Sequence, residues 1–500
     1  MGSSSSKQSS AMTVIPEKQE YSEKSAAAAK PAPPLDGVEA FESVDTDILS
    51  KWDAENEQDP RFNLARLVLA NADPLDSIKN RQAVINDEKI FNVNLKGVNK
   101  DGAYPGPVVN QASSGRCWLF ATTNVLRYNV VEQLNLGDFQ LSQSYLFFYD
   151  KIEKANYYLE AAIELADEPL EGRLWSFLNG SPLSDGGQWD MAYNLVAKYG
   201  VIPHTLFPDS FNAASSRTFV GILTHKLIEY GLALRAAARP TTPGVEPASF
   251  ETLRKLKTQY LAEVYSTLSI TLGTPPKANQ PITWEYYDKE KKFHSWTGTP
   301  REFYTQFGIR KGLDPKDSFS LINDPRNEYG KHYTVRLLGN VWGGPPVKYV
   351  NAPVEVLEDA VIAGIKANTP LFFGCDVGKS LDRKKGIMDL ELYKVEAAFG
   401  YKLGLNKAER LITQNSSATH AMVITAVHVD ANGRPVRYKV ENSWSKTSGE
   451  DGWFMMTADW FREYVYQIVA PASLVDKKWV DVLKQKAIEL EPWDPMGALA

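Results

Sequence analysis

The chain has 500 residues, of which 43% are hydrophobic and 23% are charged, and its formal net charge is −6 at pH 7. This length is enough for one large core or for two to three domains. The mildly acidic balance argues against nucleic acid as the main partner, although a local surface that differs from the average leaves secondary nucleic-acid binding open. The two cysteines, Cys117 and Cys375, are too few for a disulfide framework and favour a reducing compartment. No run approaches 18 consecutive apolar residues, so the sequence predicts no membrane-spanning helix.

The first 43 residues are rich in Ser, Ala, Pro and Lys and poor in large apolar side chains. Such a segment cannot bury enough surface to offset its ordering entropy, so the sequence predicts a disordered leader. The start also reads Met-Gly-x-x-x-Ser, which makes Gly2 a candidate for N-myristoylation. One myristoyl chain would give only weak, reversible membrane association. The alternative is an unmodified flexible leader, because serine-rich starts match this short pattern easily.

Helical spacing of apolar residues dominates the centre of the chain. Residues 118–134 contain neither Gly nor Pro and predict a helix. A second helix is predicted over residues 189–199, because Gly200 and the proline beyond it provide a stop signal. Residues 211–340 are predicted to be mostly helical, most clearly in the first part of this range, with Pro-rich loops between the helices. A further helix over residues 354–366 is followed by an apolar strand that ends at Cys375.

The clearest β pattern lies between residues 420 and 457. The apolar run HAMVITAVHV is followed by the turn sequence DANGRP, by the run VRYKVENSW and by a third run, GWFMMT, which together predict an antiparallel meander. His420 and Asn442 are equidistant from residue 431, which lies in the predicted turn. The hairpin therefore brings an imidazole and a carboxamide close together on neighbouring strands, with a register uncertain by a residue or two.

Cys117 follows the loop QASSGR and stands at the start of the helix predicted for residues 118–134. A helix start has positive potential and free N–H groups, which stabilise a thiolate and can donate to a developing oxyanion. A nearby histidine would lower the pKa of the thiol further. The alternative for any single cysteine is a purely structural role as a small buried apolar residue. Cys375, in its apolar strand, fits that alternative.

Three segments resemble the active-site segments of the papain-like cysteine peptidase superfamily. They are Q-x5-C-W at residues 111–118, the histidine in THAMVITA and the sequence ENSW at residues 441–444, in the order Cys, His, Asn. The resemblance implies a nucleophile at Cys117, a general base and acid at His420 and an orienting amide at Asn442. It also implies an oxyanion donor at Gln111 and a cover over the His–Asn hydrogen bond at Trp444.

Further segments carry the same resemblance. Gly186 and Gly187 match the glycines of the superfamily's substrate cleft, while Ser114 stands where secreted relatives have a disulfide cysteine. The implied fold class is α+β, with a helical left domain, an antiparallel β-barrel-like right domain and a large, mostly helical insertion. No metal or cofactor is implied, and the histidines show no metal-ligand spacing.

The separation between Cys117 and His420 is 303 residues, compared with about 130–150 in typical papain relatives. This spacing, QASSGRCWLFA and the ending DPMGALA resemble the bleomycin hydrolase family over residues 60–500. The family resemblance implies a cytoplasmic aminopeptidase that assembles as a homohexamer with its active sites in an internal chamber. Its substrates would be peptides and small amides with free N-termini, bleomycin and homocysteine thiolactone.

The same resemblance divides the chain into domains and gives its end a role. Residues 44–210 would form the helical domain, residues 211–340 the oligomerisation insertion, residues 341–490 the β domain and residues 491–500 a C-terminal arm in the active-site cleft. The carboxylate of Ala500 would then pair with the free amine of the substrate. The alternative for these last residues is a frayed terminus.

Two other functional classes remain in view. A thiol acyltransferase commonly has Asp as the third residue, and Asn442 argues against that class. A non-catalytic scaffold or nucleic-acid-binding protein on the same fold would not need the complete set of Cys, His, Asn and Gln.

Overall fold

The computed structural model describes residues 44–96, 108–310 and 314–499. The leader with Gly2, and the terminal residue Ala500, lie outside the described residues. The chain divides into two compact units, one ending at Leu67 and one beginning at Val68. The described part of the first unit consists of helix and short connections, and the second unit contains all the predicted site residues that are described.

Helices and strands follow one another through the described residues. The helices are α1 (Thr46–Glu57), α2 (Pro60–Leu69), α3 (Pro74–Ser77), α4 (Arg81–Ile85), α5 (Cys117–Leu134), α6 (Gln143–Glu164), α7 (Arg173–Gly180), α8 (Trp189–Tyr199), α9 (Phe211–Ala214), α10 (Arg217–Ala238), α11 (Phe250–Leu272), α12 (Pro300–Phe303), α13 (Val354–Lys366), α14 (Val395–Phe399), α15 (Lys407–Ile412), α16 (Ala458–Tyr464) and α17 (Lys477–Val480). The strands are β1 (Val93–Asn94), β2 (Ile282–Tyr287), β3 (Phe293–Gly298), β4 (Ser318–Ile322), β5 (His332–Val335), β6 (Tyr349–Asn351), β7 (Leu371–Cys375), β8 (Leu381–Asp382), β9 (Ile387–Met388), β10 (His420–Val429), β11 (Pro435–Glu441), β12 (Trp453–Thr457), β13 (Val465–Pro471) and β14 (Ile488–Leu490). This mixture confirms the predicted α+β class.

A large sheet carries the second half of the chain. Its strand order is β14-β5-β6-β4-β13-β7-β10-β11-β12-β9-β8, with β1 paired to β10. The predicted meander is present as β10, β11 and β12, which pair antiparallel in sequence order. The eight residues at the start of β10 are all buried, because α5 and α13 both pack against this strand. A strand covered in this way has a continuous apolar run rather than alternation.

Helix α5 runs through the core. It packs against α6 and α8 as well as against β7 and β10, and 13 of its 18 residues are buried. A helix that is buried on every side is a core helix rather than a surface helix. Its first residue, Cys117, therefore starts inside the protein, at the boundary between the helices and the sheet.

Several predicted elements have the expected bounds. Helix α8 ends where Gly200 adopts a φ of +76°, and a Cβ on this glycine would lie 2.2 Å from the carbonyl oxygen of Pro300. Helix α13 and strand β7 also lie where the sequence predicts them. Residues 211–340 are helical through α9, α10 and α11, and then contain the hairpin β2–β3 and two strands of the large sheet. The boundaries of the domains stay a prediction.

The hairpin β2–β3 is not among the elements predicted from the sequence. Its six residue pairs are antiparallel, and Trp284 lies opposite Trp296. The ring of Trp284 packs on Phe303 and on Phe139, which attaches the hairpin to the helical core. Aromatic and polar residues alternate in the sequence of β2, and this alternation is the sequence signal from which the strand could have been predicted.

A buried carboxylate links α5 to β11. Glu441 is 1% exposed and accepts hydrogen bonds from Arg127, from Asn124 Nδ2 at 3.1 Å and from the Tyr128 hydroxyl at 3.2 Å. All three donors lie on α5, and the residue after Glu441 is Asn442. The link therefore fixes the helix that begins with Cys117 relative to the strand that leads into Asn442.

Within the described ranges, no helix has both the length and the apolar character needed to cross a membrane.

We expect Glu441→Leu to lower the free energy of unfolding by about 3–5 kcal/mol, because it removes one partner of a buried ion pair. Urea denaturation followed by circular dichroism measures this change. The matched control is Glu251→Leu on α11, where the ion pair with Lys255 is exposed and the expected change is within about 0.5 kcal/mol. Equal stability of the Glu441 variant and the unchanged protein would show that the link is not structural.

Candidate active site

The sulfur of Cys117 lies where the start of α5 meets the start of β10. Cys117 is 2% exposed. Backbone N–H groups of Ala421, Trp118 and Cys117 itself lie close enough to the sulfur to lower the pKa of the thiol. Two of these groups belong to the first turn of α5, and the third belongs to the residue that follows His420 on β10. The structure therefore brings Cys117 next to the strand end that carries His420.

His420 and Asn442 are joined by a hydrogen bond between two buried side chains. The distance from His420 Nε2 to Asn442 Oδ1 is 2.9 Å. The backbone N–H of Ser443 donates to the same Oδ1 at 2.7 Å, which requires an oxygen at that position and so fixes the orientation of the amide. Since an oxygen faces Nε2, the neutral ring carries its proton there and leaves Nδ1 as an acceptor.

Trp444 covers the imidazole of His420. Their ring centroids are 4.7 Å apart and their planes are inclined by 29°. The guanidinium of Arg383 lies 4.5 Å from the centroid of the Trp444 ring. In strands β10 and β11, Val423 pairs with Glu441, and continuing this register brings His420 level with Trp444. The predicted register is thus within two residues of the observed one.

Burial shifts the pKa values of both groups toward their neutral forms. Burial raises the pKa of the Cys117 thiol to about 11, although the N–H donors of Ala421, Trp118 and Cys117 lower it. Burial lowers the pKa of His420 to about 4, an effect that the hydrogen bond to Asn442 opposes. The sequence predicts a thiol pKa below the ordinary value, whereas burial of the sulfur acts in the opposite direction. The N–H groups predicted at the helix start are present, but the loss of water around the sulfur raises the pKa by more than these groups lower it.

Gln111 is held beside Ser443 by main-chain and side-chain hydrogen bonds. Its backbone N–H donates to the Ser443 carbonyl at 2.8 Å, and the Ser443 hydroxyl donates to Gln111 Oε1 at 2.6 Å. Gln111 Nε2 donates one hydrogen to the Ser114 carbonyl at 2.7 Å. An amide nitrogen carries two hydrogens, so one N–H is left to bind a further acceptor.

Gly186 and Gly187 lie against the residue that follows Cys117. A Cβ on Gly187 would lie 2.7 Å from the ring of Trp118, so this position accepts only glycine without movement of the indole. Trp118 Nε1 donates to the carbonyl of Asp185 at 2.6 Å, and Lys154 Nζ donates to the carbonyl of Gly186 at 2.7 Å. These contacts fix the glycine loop beside the start of α5.

A buried charge cluster beneath this loop was not predicted. Lys151 lies 2.8 Å from Asp185, and Lys154 lies 2.9 Å from Asp150. Burial opposes ionisation of Asp185, but Lys151 and hydrogen bonds from Ser216 and Gly115 bring its pKa to about 2. Burial lowers the pKa of Lys154 to about 8. In the sequence these lysines resemble the solvated face of a helix, so periodicity alone could not identify them.

The end of the chain is docked rather than frayed up to Leu499. Gln188 Nε2 donates to the carbonyl of Ala498 at 2.6 Å, directly beside the glycine loop. Asp494 forms an ion pair with Arg326 at 2.8 Å, and Met496 is buried. Ala500, which the sequence predicts as the group that binds the amine, lies outside the described residues.

Cys375 lies directly opposite His420 in the pairing of β7 with β10. Its side chain is fully buried, and burial raises the pKa of its thiol far above the ordinary value. Among the residues that the structure describes, no group of three or more His, Cys, Asp or Glu could hold a metal ion.

Comparisons with known proteins agree with this geometry. A model of the Peptidase C1-like family matches residues 43–497. The chain belongs to this family. Cysteine proteinase 1, mitochondrial, of Saccharomyces cerevisiae is 42% identical over 465 residues, which cover 92% of this chain and 93% of that protein. Bleomycin hydrolase of Homo sapiens is 41% identical over 451 residues, which cover 88% and 95%.

A solved structure extends the similarity to the fold. The crystal structure of PepW from Lactobacillus rhamnosis matches with a TM-score of 0.85 and 36% identity, covering 92% of this chain and 99% of that one. The chain thus has the papain-like α+β fold. It is a cysteine-type peptidase similar to bleomycin hydrolase. The predicted resemblance, fold class and enzyme class are confirmed.

We expect Trp444→Ala to raise the pKa of His420 from about 4 toward the ordinary 6.5, because water then reaches the imidazole and stabilises its charged form. Histidine-selective NMR titration measures this pKa, and the other five histidines of the chain serve as internal references. A His420 pKa that is unchanged or lower in the variant would contradict the role of burial.

Proposed function

We propose that the chain is an aminopeptidase in which Cys117 attacks the first peptide bond of a substrate. The observation that carries the proposal is the meeting of three groups at one point. The Cys117 sulfur lies beside the backbone N–H of Ala421, the residue that follows His420, and His420 is hydrogen-bonded to Asn442. Gln111 lies on the segment paired with Ser443, directly after Asn442.

The reaction is an acyl transfer in two halves. In the first, the Cys117 sulfur bonds to the carbonyl carbon while its proton passes to Nδ1 of His420. The oxyanion accepts hydrogen bonds from the backbone N–H of Cys117 and from the remaining N–H of Gln111. His420 then gives its proton to the leaving amine, and a thioester remains on Cys117.

The second half restores the enzyme. Water gives a proton to His420 and its oxygen bonds to the thioester carbon. The C–S bond then breaks, the acid product leaves, and Cys117 recovers its proton from His420. Asn442 keeps the ring in one orientation throughout, since its oxygen accepts a hydrogen bond from the N–H at Nε2.

Burial favours the neutral forms of both groups, because it raises the pKa of the Cys117 thiol and lowers the pKa of His420. The N–H groups beside the sulfur and the hydrogen bond to Asn442 act in the opposite direction. In the proposal His420 accepts the thiol proton as the sulfur attacks, and an imidazolium whose pKa is held low by burial is a strong acid toward the leaving amine.

The docked end of the chain supports cleavage at the N-terminus of the substrate. Gln188, which directly follows the glycine loop, donates to the carbonyl of Ala498, and this contact supports an arm of residues 491–500 that lies in the cleft. Pro492 and Pro495 stiffen this arm, and small residues follow them. In the proposal, the Ala500 carboxylate binds the ammonium group of the substrate and sets its distance from Cys117.

The proposal extends to substrates, assembly and location. The name of the human relative, bleomycin hydrolase, supports bleomycin as a substrate, and peptides with free N-termini and homocysteine thiolactone are further proposed substrates. We propose a homohexamer in which residues 211–340 make the contacts between subunits. The proposed location is the cytoplasm, with weak membrane association if Gly2 is acylated, whereas the yeast relative is named mitochondrial. Nucleic-acid binding is not part of the proposal.

We expect Gln111→Ala to lower kcat by about 100-fold with little change in KM, because it removes one oxyanion donor. Initial rates with an aminoacyl-coumarin measure both constants. The matched variant Ser443→Ala removes the hydroxyl that holds Gln111 Oε1 but leaves the amide N–H, so its loss is expected to be smaller. Unchanged kcat in Gln111→Ala would exclude this residue from the oxyanion site.

We expect deletion of residues 497–500 to allow cleavage of N-acetylated peptides, because the group that requires a free amine is then removed. This deletion leaves the buried Met496 in place, and the full-length chain is expected not to cleave the same substrates. Mass spectrometry of the products locates the cleaved bond. Continued exclusion of acetylated peptides by the shortened chain would refute the role of the arm.

A further inference from the structure

A cavity of about 490 Å³ lies beside the C-terminal arm. Its apolar lining comes mainly from α6, from α7 and from a short segment after β5, and it includes Tyr157, Tyr158, Phe177, Leu178 and Leu338. The arm residues Gly497, Ala498 and Leu499 form another part of the wall. This size and this aromatic lining are typical of sites for small organic ligands.

The charged groups on the wall are both cations. Lys154 and Arg336 line the cavity, and none of its lining residues is acidic. Lys154 already interacts with Asp150 and with the carbonyls of Ser184 and Gly186. Its charge is therefore compensated within the protein.

Arg336 differs from Lys154 in this respect. Its backbone N–H donates to the Leu490 carbonyl at 2.9 Å, which fixes the base of the side chain. The residue is half-buried, yet its guanidinium has no hydrogen bond or ion pair to any residue in the described part of the chain. Arg173, a neighbouring arginine, packs instead on Trp493 at 4.2 Å. A half-buried guanidinium without an anionic partner in the protein is suited to bind the anion of a ligand. Its two parallel N–H groups match the two oxygens of a carboxylate.

We propose that this cavity binds a small apolar monocarboxylate, with the carboxylate on Arg336 and the hydrocarbon part against Tyr158, Phe177 and Leu338. The charge of the cavity excludes cationic ligands, and its aromatic lining disfavours strongly polar ones. Cys117 takes no part in binding this ligand, and the proposed binding is a property additional to the peptidase reaction.

The position of the arm couples this site to the cleft. Because residues 497–499 are part of the wall, a ligand makes its full contacts only while the arm is docked. A ligand that binds one state and not the other stabilises the state it binds. The bound carboxylate therefore stabilises the docked position of the arm, in which Gln188 donates a hydrogen bond to the carbonyl of Ala498.

Titration calorimetry of the full-length protein with decanoate tests the site, and decanol is the uncharged control. The expected result is saturable binding of one decanoate per chain and much weaker binding of decanol. Arg336→Gln is expected to weaken decanoate binding about 10-fold or more, as for loss of a charge-assisted hydrogen bond. Arg217→Gln is the matched control, since Arg217 is exposed and does not line the cavity.

A second variant and a second measurement address the cavity and the arm. Ser176 is an exposed residue of α7 that lines the cavity, so Ser176→Trp is expected to fill it and abolish binding without disturbing the core. Hydrogen exchange of residues 491–499 is expected to slow when decanoate is bound. The proposal is overturned if decanoate does not bind, if Arg336→Gln and Ser176→Trp both bind it as the unchanged protein does, or if exchange in the arm is unaffected. Because no step of this test uses turnover, its failure is distinct from failure of the peptidase mechanism.

Discussion

The contact between the start of α5 and the start of β10 is the one on which the rest of the structure depends. The backbone N–H of Ala421 on β10 lies beside the sulfur of Cys117, the first residue of α5, and lowers the pKa of its thiol. The helix belongs to the first part of the chain, and the strand follows it by about 300 residues. Burial of α5 on every side keeps its start inside the protein, and Glu441 ties its third and fourth turns to β11. The proposed nucleophile, base and orienting amide thus share one rigid frame.

The same burial that aligns these groups also changes their chemistry. Excluding water raises the pKa of the thiol and lowers the pKa of the imidazole, so burial favours the neutral form of each group. Electrostatic help must then come from fixed donors at the moment of reaction. The first turn of α5 and the amide of Gln111 offer such donors, and they need no rearrangement because Ser443 and the main chain already hold them.

Sequence patterns could predict those features that depend on local signals. The stop at Gly200 fixed the end of α8, and the turn near residue 431 placed His420 near Asn442. The Q-x5-C-W segment identified the nucleophile candidate through its likeness to a known superfamily. Each of these predictions rests on neighbours in the chain or on a short motif, so none of them needed knowledge of the tertiary fold.

Other features depend on distant residues, and local patterns could not reveal them. The buried Lys151 and Lys154 have counter-charges on the same helix and on a loop about 30 residues later, and only the folded chain brings the loop close. The link through Glu441 spans more than 300 residues. The direction of the thiol pKa shift also depends on how completely Cys117 is enclosed, which its position at a helix start does not show.

Mass spectrometry of the acyl-enzyme tests the central claim most directly. Acid quenching of the enzyme during turnover of an aminoacyl ester should trap one aminoacyl group as a thioester on Cys117. Cys117→Ala should be folded, inactive and free of the adduct, whereas Cys375→Ala should form it. An adduct on another residue, or normal turnover in folded Cys117→Ala, would contradict the account.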